Sequence, residues 1–403
     1  MGTNQYDVIV VGARCAGSPT AMLLARKGYK VLLVDKATFP SDTISTHLIH
    51  APGLAALKRW GLLDSLLATG CPPIHSYSFD FGHFTITGAP GTDDQPVSYA
   101  PRRTVLDKLL VDAASNAGAE VREGFNVADI VIENQRVVGV RGKSRGGQPV
   151  TERAPVVIGA DGRHSVVAKA VNPGQYNEKP QLLAAYYTYW SGLPLNGRFE
   201  AYIRPYRSFA AWPTHDGLTL VIAGWQFSEF EANKRDIEGN YHKVIDLAPD
   251  FAERIRAAKC EERFIGAAVP GYFRKPFGAG WALVGDAGYN RDFITAQGIQ
   301  DAFRDAELCV TALEATFSGT LSFDVAMGEY QSTRDRQVMA LYEFTAQLAS
   351  QQPPPPELQQ LLGAVHGNQE AMNGFARVNA GVISPADFFS EENVKRIFAA
   401  AAR

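Results

Sequence analysis

The chain has 403 residues, of which 46% are hydrophobic and 20% are charged, and its formal net charge is −3. This length is enough for two or three domains, each with its own buried core. The weak net charge gives no electrostatic reason to expect a nucleic acid or an anionic membrane as a partner. Every apolar run is shorter than the roughly 18 residues of a membrane-spanning helix, so we expect no membrane span.

Cysteine usage and the N-terminal residues favour a cytoplasmic protein. The four cysteines show no paired spacing, which predicts neither a metal site nor a disulfide framework and agrees with a reducing cytosol. The N-terminal stretch MGTNQYDVIVVG leads directly into a strand pattern. It has no basic region followed by a cleavage site, so we expect no signal peptide.

The first 35 residues predict a βαβ unit. Residues 6–11 (YDVIVV) have the apolar, β-branched character of a buried parallel strand, residues 18–27 are rich in Ala and Leu like a helix, and residues 30–34 predict a second strand. The turn GARCAG (12–17) connects the first strand to the helix. Asp35 ends the second strand, where an acid can accept hydrogen bonds from an adenosine ribose. The pattern is typical of a dinucleotide site with its pyrophosphate at the helix N-terminus.

Arg14 stands where the G-x-G-x-x-G fingerprint has its middle glycine. Gly12 permits the tight turn, Gly17 lets the helix lie close to the strand, and the middle position lets backbone approach the pyrophosphate. The Arg14 N–H can still donate to phosphate if its φ is negative, and its side chain either turns outward or pairs with phosphate. This turn alone is equally compatible with an ordinary α/β protein.

Three later segments also have an acid, a glycine or an arginine next to the end of a predicted strand or helix. In chain order they are RRTVLDKLL (102–110) with Arg103, VVIGADGRHS (156–165) with Asp161-Gly162, and WALVGDAGYNRDFITAQGIQDA (281–302) with Gly285-Asp286 and a helix from about Gly298. The arginine could reach a phosphate, the last acid could bind a polyol, and the last helix N-terminus could stabilise negative charge on a ring system. Each segment by itself could be an ordinary strand, turn and helix. The occurrence of all of them in this order has no such simple explanation.

The four segments together resemble the flavoprotein monooxygenase superfamily of the aromatic-hydroxylase type, which is built around a single FAD-binding domain and is related to geranylgeranyl reductases and flavin halogenases. The resemblance covers roughly residues 6–335. It implies FAD as the cofactor and NADH or NADPH as the co-substrate. The residues that it implies for FAD binding are Gly12, Ala13, Arg14, Ala16, Gly17, Asp35, Lys36, Arg103, Asp161, Gly162, Gly285, Asp286, Gly298 and Ile299.

The fold that follows is α/β, with a Rossmann-like FAD-binding domain, an inserted antiparallel β-sheet that forms a substrate domain, and C-terminal helices. The strand-like runs and the hairpin turn that predict the inserted sheet are 184–190, 198–203, 209–212, 218–222 and 215–217. We expect residues 1–75, 98–180 and 265–335 to form the FAD-binding domain, residues 76–97 and 181–264 the substrate domain, and residues 336–403 a helical tail. The tail follows a proline spacer and is expected to serve packing or a homodimer contact.

In this superfamily the inserted sheet lies over the flavin and forms the substrate pocket. The candidate pocket aromatics are Tyr187, Tyr189, Trp212 and Trp225, each of which could instead belong to the core. The segment DTISTHLIH (42–50) passes close to the flavin in the family, which makes His47 the candidate catalytic residue and His50 a candidate pocket residue. The structural alternative for both is a histidine that bonds to nearby backbone.

The activity implied by the resemblance is hydroxylation or epoxidation of an apolar, aromatic small molecule by molecular oxygen, through a flavin hydroperoxide. Two alternatives stay open: a C=C reductase like geranylgeranyl reductase, and a redox-silent FAD-binding protein. The second is motivated by Arg14 and by the segment YNRDFIT (289–295), where Arg291 and Asp292 occupy a stretch that usually includes a proline. A halogenase is disfavoured because the Trp-x-Trp-x-Ile-Pro motif is absent and no lysine is clearly placed to trap hypohalous acid.

Overall fold

A computed structural model describes residues 6–401. Among these residues the helices are α1 (Gly17–Arg26), α2 (Ala51–Arg59), α3 (Leu63–Leu67), α4 (Arg103–Asn116), α5 (Val166–Val171), α6 (Phe230–Asn233), α7 (Ile237–Ile245), α8 (Pro249–Arg256), α9 (Gly298–Phe317), α10 (Phe323–Ala349), α11 (Pro356–Val365), α12 (Gln369–Asn379), α13 (Pro385–Phe388) and α14 (Glu391–Ala401). In that same part of the chain, no helix is both long enough and apolar enough to cross a bilayer.

The strands of the described residues fall into five sheets. In chain order they are β1 (Val8–Val11), β2 (Val31–Val34), β3 (Pro73–Ile74), β4 (Ser76–Asp80), β5 (Thr85–Gly88), β6 (Ser98–Tyr99), β7 (Glu120–Arg122), β8 (Phe125–Glu133), β9 (Arg136–Ser144), β10 (Val150–Arg153), β11 (Val156–Gly159), β12 (Gln175–Lys179), β13 (Leu183–Ser191), β14 (Arg198–Arg204), β15 (Arg207–Pro213), β16 (Thr219–Gln226), β17 (Lys259–Cys260), β18 (Ile265–Ala267), β19 (Gly271–Arg274), β20 (Phe277–Gly278), β21 (Trp281–Leu283) and β22 (Tyr289–Asn290).

The first sheet has the order β20-β21-β11-β1-β2-β7, and all of its pairs are parallel except β20 with β21. Alternate residues of β1 point to opposite faces of the sheet. Val8 and Val10 pack in an apolar cluster with α1, α4 and α9. Ile9 and Val11 pack in a second cluster with β8 and β9. Burial on both faces explains the uninterrupted apolar run of this strand. The predicted βαβ unit and the α/β class are confirmed.

The inserted sheet has eight strands in the order β17-β13-β16-β15-β14-β4-β5, with β18 also paired to β13. The four strands that the sequence predicts here, and the turn at His215–Gly217, are present within a few residues of their expected ends. All pairs are antiparallel except β14 with β4. Strands β4 and β5, which lie within residues 76–97, belong to this sheet.

A helix crosses one of the domain limits that the sequence predicts. The expected boundary between residues 335 and 336 falls inside α10, which runs without a break for 27 residues. Beyond α10, the tail supplies Leu362, Phe375 and Phe388 to the same apolar cluster as Tyr77 and Phe79 of β4. The tail is therefore a packing element that covers the inserted sheet, which is called the substrate sheet below after the role expected from the sequence.

The buried side chain of Arg334 ties α10 to the FAD-binding domain. Its guanidinium donates to the carbonyl oxygens of Gly288 and Arg274, at 3.2 Å in each case, and to the Tyr176 hydroxyl at 2.8 Å. It also pairs with Asp335 at 2.9 Å. A buried arginine with all of these acceptors satisfied fixes the position of α10 against the loop that follows β21.

Replacing Arg334 by methionine should lower the free energy of unfolding by about 2–3 kcal/mol, because it removes the charged donor from several buried acceptors. Urea denaturation followed by circular dichroism measures the change. The control is Arg336→Met, at an exposed position of the same helix, for which the change should stay within about 0.5 kcal/mol. Equal stability of the two variants would show that Arg334 does not anchor α10.

Candidate functional site

Four turns of the FAD-binding domain meet at one edge of the parallel sheet. Because β1, β2, β11 and β21 run in the same direction, their carboxyl ends lie side by side. They are followed by Gly12, Asp35, Ala160-Asp161 and Val284-Gly285 in turn. Ligands of open α/β sheets bind at this edge.

The turn after β1 has no room for a side chain at its first or its last glycine. Gly12 has a φ of +103°, and a Cβ there would lie 2.5 Å from the Ala160 carbonyl oxygen. A Cβ on Gly17 would lie 1.7 Å from the Gly12 carbonyl oxygen. Both glycines are therefore required for the close approach of α1 to the strands.

Asp35 braces this turn from the end of β2. One of its carboxylate oxygens accepts a hydrogen bond from the Ala13 N–H at 2.7 Å, and the other from the Ala37 N–H at 2.8 Å. Asp35 is half-buried, and the adjacent Lys36 is exposed. The acid thus holds the backbone of the turn in place.

The side chain of Arg14 turns away from the turn and pairs with protein groups. Arg14 is not among the residues with a positive φ. Its backbone N–H therefore meets the condition, set out in the sequence analysis, for donating to a phosphate. Its Nη1 lies 2.5 Å from Oδ2 of Asp107, and its Nη2 donates to the Ser41 hydroxyl at 3.0 Å. Both terminal nitrogens of Arg14 are thus engaged by protein groups.

Arg103 and three acids surround the same edge. Arg103 pairs with Asp107 at 2.9 Å. Asp286 is reached by solvent, yet desolvation by the surrounding protein and repulsion from Asp301 raise its pKa to about 6, and the charge of Arg103 opposes this. Burial likewise raises the pKa of Asp161, whose Oδ2 accepts from the Val166 N–H at 2.7 Å while Oδ1 has no partner. Polar groups with unused hydrogen-bonding capacity are suited to a polyhydroxyl ligand.

The N-terminus of α9 offers free backbone donors at this site. Gly298 begins the helix, is exposed, and has no atom within 4 Å of the position of a Cβ, and the adjacent Ile299 is buried. The N-cap residue, Gln297, makes no side-chain capping bond. It bonds instead to the carbonyl oxygens of Thr295 and Asn379. The first N–H groups of α9 are therefore free to stabilise a negative charge.

His47 lies at the substrate sheet in a strained backbone conformation. Its φ is +61°, unusual for a residue other than glycine. Its Nε2 lies 2.5 Å from the Tyr189 hydroxyl, and its Nδ1 is buried without a partner. Burial, followed by the charges of Arg103 and Arg102, lowers the pKa of His47 well below its usual range. The ring is therefore neutral at neutral pH.

The aromatic side chains of the sheet hold the segment that leads to His47. The Ser45 N–H donates to the Tyr187 hydroxyl at 3.4 Å, and the Trp212 indole donates to the Thr46 carbonyl oxygen at 3.0 Å. The structure thus brings together three of the four predicted pocket aromatics, Tyr187, Tyr189 and Trp212, beside His47.

The fourth aromatic, Trp225, is on the other face of the sheet, which corrects its assignment to the same pocket. It stacks on Tyr186, with 5.9 Å between ring centroids, inside the cluster covered by α7 and α8. Neighbouring residues of a strand point to opposite faces, so Tyr186 and Tyr187 mark the two sides of β13. The core-packing alternative holds for Trp225.

His50 has both ring nitrogens engaged by the protein. Nδ1 lies 2.6 Å from the Tyr77 hydroxyl and Nε2 lies 3.1 Å from the Thr295 carbonyl oxygen. Burial lowers its pKa to about 4. These contacts join the start of α2 to β4 and to the loop before α9, which favours the structural alternative for this histidine.

The loop without proline buries two charged residues. Arg291 pairs with Asp301 at 2.5 Å, and Asp292 caps the following turn by accepting from the Ile294 N–H at 3.0 Å. Burial raises the pKa of Asp292 to about 7. Each of these two side chains therefore has at least one hydrogen-bond or ion-pair partner within the protein.

Sequence reasoning missed Arg102 and Asp107. The guanidinium carbon of Arg102 lies 3.9 Å from the centre of the Tyr189 ring, and its nitrogens pair with Glu262 at 2.9 Å and Asp42 at 3.2 Å. Asp107 was detectable as the acid four residues after Arg103, on the same helix face. Arg102 carried no such signal, because its partners lie far away in the sequence.

Comparison of the chain with known protein families identifies a domain of the same kind. The family model for the FAD binding domain matches residues 5–258, more than half of the chain. The chain belongs to this family. Its FAD-dependent oxidoreductase class follows from the same match.

Two curated relatives and one solved structure illustrate what this chain is similar to. A digeranylgeranylglycerophospholipid reductase of Methanosarcina mazei is 30% identical over 79% of this chain and 78% of its own length. A tryptophan 2-halogenase of Chondromyces crocatus is 25% identical over 81% of this chain, which spans only 65% of that protein. The structure of PqsL from Pseudomonas aeruginosa with 2-aminobenzoylacetate superposes with a TM-score of 0.73 at 18% identity, covering 92% of this chain and 98% of PqsL. At that identity the superposition shows the fold alone.

Replacing Asp286 by alanine should yield mostly apoprotein, because it removes an acceptor at the sheet edge where FAD is expected to bind. Asp35→Ala should weaken FAD binding by about tenfold, the effect of losing roughly one charged hydrogen bond. The ratio of flavin to protein absorbance, with FAD titration of the apoprotein, measures both effects. Asp129→Ala, at an exposed position of β8, is the control. Full flavin content in both variants would contradict the assignment of the site.

Proposed function

We propose that this protein is an FAD-dependent monooxygenase that hydroxylates or epoxidises an apolar, aromatic small molecule, with NADH or NADPH as electron donor and molecular oxygen as co-substrate. The observation that carries the proposal is the position of neutral His47. Its Nε2 contacts the Tyr189 hydroxyl and its Nδ1 has no partner. Tyr187 and Trp212 bond to Ser45 and Thr46, the two residues before it. Arg103, a candidate FAD contact, is close enough to lower the pKa of His47.

The residues of the sheet edge fit FAD. The turn at Gly12 and Gly17 excludes side chains, and the start of α9 presents free N–H groups. The buried Oδ1 of Asp161 also lacks a partner. When bound, FAD supplies the electron transfer and the activation of oxygen. We propose that Asp35 holds its ribose and that Gly298 and Ile299 face its ring system.

The residues of the substrate sheet orient the ligand and exclude water. With Nε2 of His47 engaged by Tyr189, Nδ1 can exchange one hydrogen bond with a ligand, and the tautomer decides whether it donates or accepts. Tyr187 and Trp212 supply apolar ring surface and have their polar atoms bonded to the segment before His47. A planar ring with one polar substituent matches this combination.

Two other reactions are alternatives. A flavin-dependent C=C reductase is favoured by the 30% identity with the digeranylgeranylglycerophospholipid reductase. The similarity to a tryptophan 2-halogenase raises halogenation. The Trp-x-Trp-x-Ile-Pro motif is absent from the sequence, so we rank halogenation last.

Anaerobic reduction followed by isotopic oxygen separates these reactions. The purified flavoprotein is mixed with NADH or NADPH and a panel of phenols, indoles and polyprenyl compounds, and then exposed to ¹⁸O₂. A monooxygenase should be reduced faster with a substrate present and should place one ¹⁸O atom in the product, detected by mass spectrometry. Saturation of an alkene without ¹⁸O would identify a reductase. A flavin that neither NADH nor NADPH reduces would contradict NAD(P)H-dependent monooxygenation.

Replacing His47 by alanine should weaken ligand binding by about tenfold, because it removes one buried hydrogen bond to the ligand. The FAD content should stay unchanged. Ligand-induced changes in the spectrum of the oxidised flavin measure the dissociation constant, with His83→Ala, at an exposed turn, as the control. Unchanged ligand binding and unchanged flavin reduction would leave His47 with a purely structural role.

A further inference from the structure

Arg14 joins the dinucleotide turn to the segment that leads to His47, here called the His47 loop (residues 41–47). We propose that Arg14 is a positioning residue that fastens the His47 loop to the FAD-binding domain, and that its side chain does not bind the pyrophosphate. The inference rests on the proposed function in so far as His47 contacts the ligand. The structural evidence for it is independent of the reaction.

The first link is the carboxylate of Asp107. This side chain is completely buried and lies between two arginines, with one oxygen for each: Oδ2 for Arg14 at 2.5 Å and Oδ1 for Arg103 at 2.9 Å. The Cys15 thiol lies 3.5 Å from the same Oδ1. A buried carboxylate needs such partners, because without them its desolvation is not compensated. The positive charge of Arg14 is therefore paired with the carboxylate of Asp107 within the protein.

The second link is the near end of the His47 loop. The other guanidinium nitrogen of Arg14 donates to the Ser41 hydroxyl at 3.0 Å, and Nη1 also reaches the Ser41 carbonyl oxygen at 3.3 Å. The guanidinium lies 5.4 Å from the centre of the Phe39 ring. The planar fork of arginine can hold the carboxylate and the loop at once, which the single ammonium of a lysine cannot do equally well.

The far end of the loop is held by the substrate sheet. Ser45, Thr46 and His47 bond to Tyr187, Trp212 and Tyr189, respectively. Between the two ends, the Ile44 side chain is 58% exposed, so the middle of the loop gains little from burial. Asp42, next to the near end, also pairs with Arg102 at 3.2 Å. The conformation of the loop therefore depends on the contacts at its two ends, of which the fork of Arg14 is one.

The backbone of His47 shows why both anchors matter. A left-handed φ at a residue other than glycine costs of order 1 kcal/mol and persists only where the surroundings over-determine it. With Arg14 removed, the near end of the loop loses its fork, and the strain at His47 can relax. The unpartnered Nδ1 would then no longer be held in one direction.

Arg14→Gly tests the proposal, because glycine is the residue that the dinucleotide fingerprint ordinarily has at this position. In the FAD-loaded protein, hydrogen exchange of residues 41–47 should rise by about tenfold, as expected for the loss of roughly one charged hydrogen bond. The rate at which diethyl pyrocarbonate modifies His47, measured by peptide mass spectrometry, should rise as well. The FAD dissociation constant should stay within about threefold of wild type, since the turn keeps its backbone.

Two further variants complete the experiment. Arg14→Lys keeps the charge for Asp107 but not the fork, so its exchange rate and His47 reactivity should lie between those of wild type and Arg14→Gly. Arg145→Gly, at an exposed loop position, should change neither. An increase in the FAD dissociation constant of tenfold or more would overturn the proposal, because Arg14 would then be a phosphate ligand. Unchanged exchange in residues 41–47 would overturn it as well. All of these measurements are independent of turnover, so they stand whether or not the protein proves to be a monooxygenase.

Discussion

Parallel pairing of β1 with β2 and β11, and of β11 with β21, is the constraint on which the site depends. It places the ends of strands from three distant parts of the chain at one edge, each followed by a glycine or an acid. The close contact of Gly12 and Gly17 with neighbouring backbone keeps α1 against the strands. A ligand with a pyrophosphate, a ribose and a ring system can then meet the start of α1, Asp35 and the start of α9 along a single edge.

A second set of contacts couples this edge to the substrate sheet. Arg102 and Arg103 are adjacent at the start of α4 but bond in different directions: Arg103 to Asp107 beside the dinucleotide turn, and Arg102 to Asp42 and Glu262 beside Tyr189. Together with Arg14, they connect the FAD-binding domain to the aromatic face that holds His47. Asp107 is buried, so geometry and desolvation decide the effect of its two ion pairs more than charge alone, whereas the partners of Arg102 are partly exposed.

The fold is shared by reductases, halogenases and monooxygenases, so fold similarity alone does not choose among their reactions. In this chain a neutral histidine, two tyrosines and a tryptophan lie together on one face of the inserted sheet. The tail from α11 to α14 packs over the same sheet and reaches the start of α9 through the bond of Gln297 to Asn379. Helices at the end of the chain therefore help to shape a site whose residues come mainly from its first two-thirds.

Local patterns carried much of the prediction. The βαβ unit and the strands of the inserted sheet were visible because each is set by a short run of apolar, β-branched or aromatic residues and by the turns between them. The small sheet of β8, β9 and β10 was missed, because its strands include many exposed polar residues. The continuity of α10 was missed for a related reason, since polar and apolar residues are mixed around the helix and gave no clear end.

The sequence by itself determined the class of cofactor site, because glycines with no room for a side chain and acids at strand ends are local requirements of a dinucleotide turn. Only the tertiary structure decided which side chains meet. It turned Arg14 outward to Asp107 and Ser41, separated Trp225 from Trp212 across the thickness of a sheet, and engaged both nitrogens of His50 while leaving one nitrogen of His47 free. These contacts join side chains that are tens or hundreds of residues apart in the sequence. The pattern of residues around one side chain does not show which distant side chains the fold will bring into contact with it.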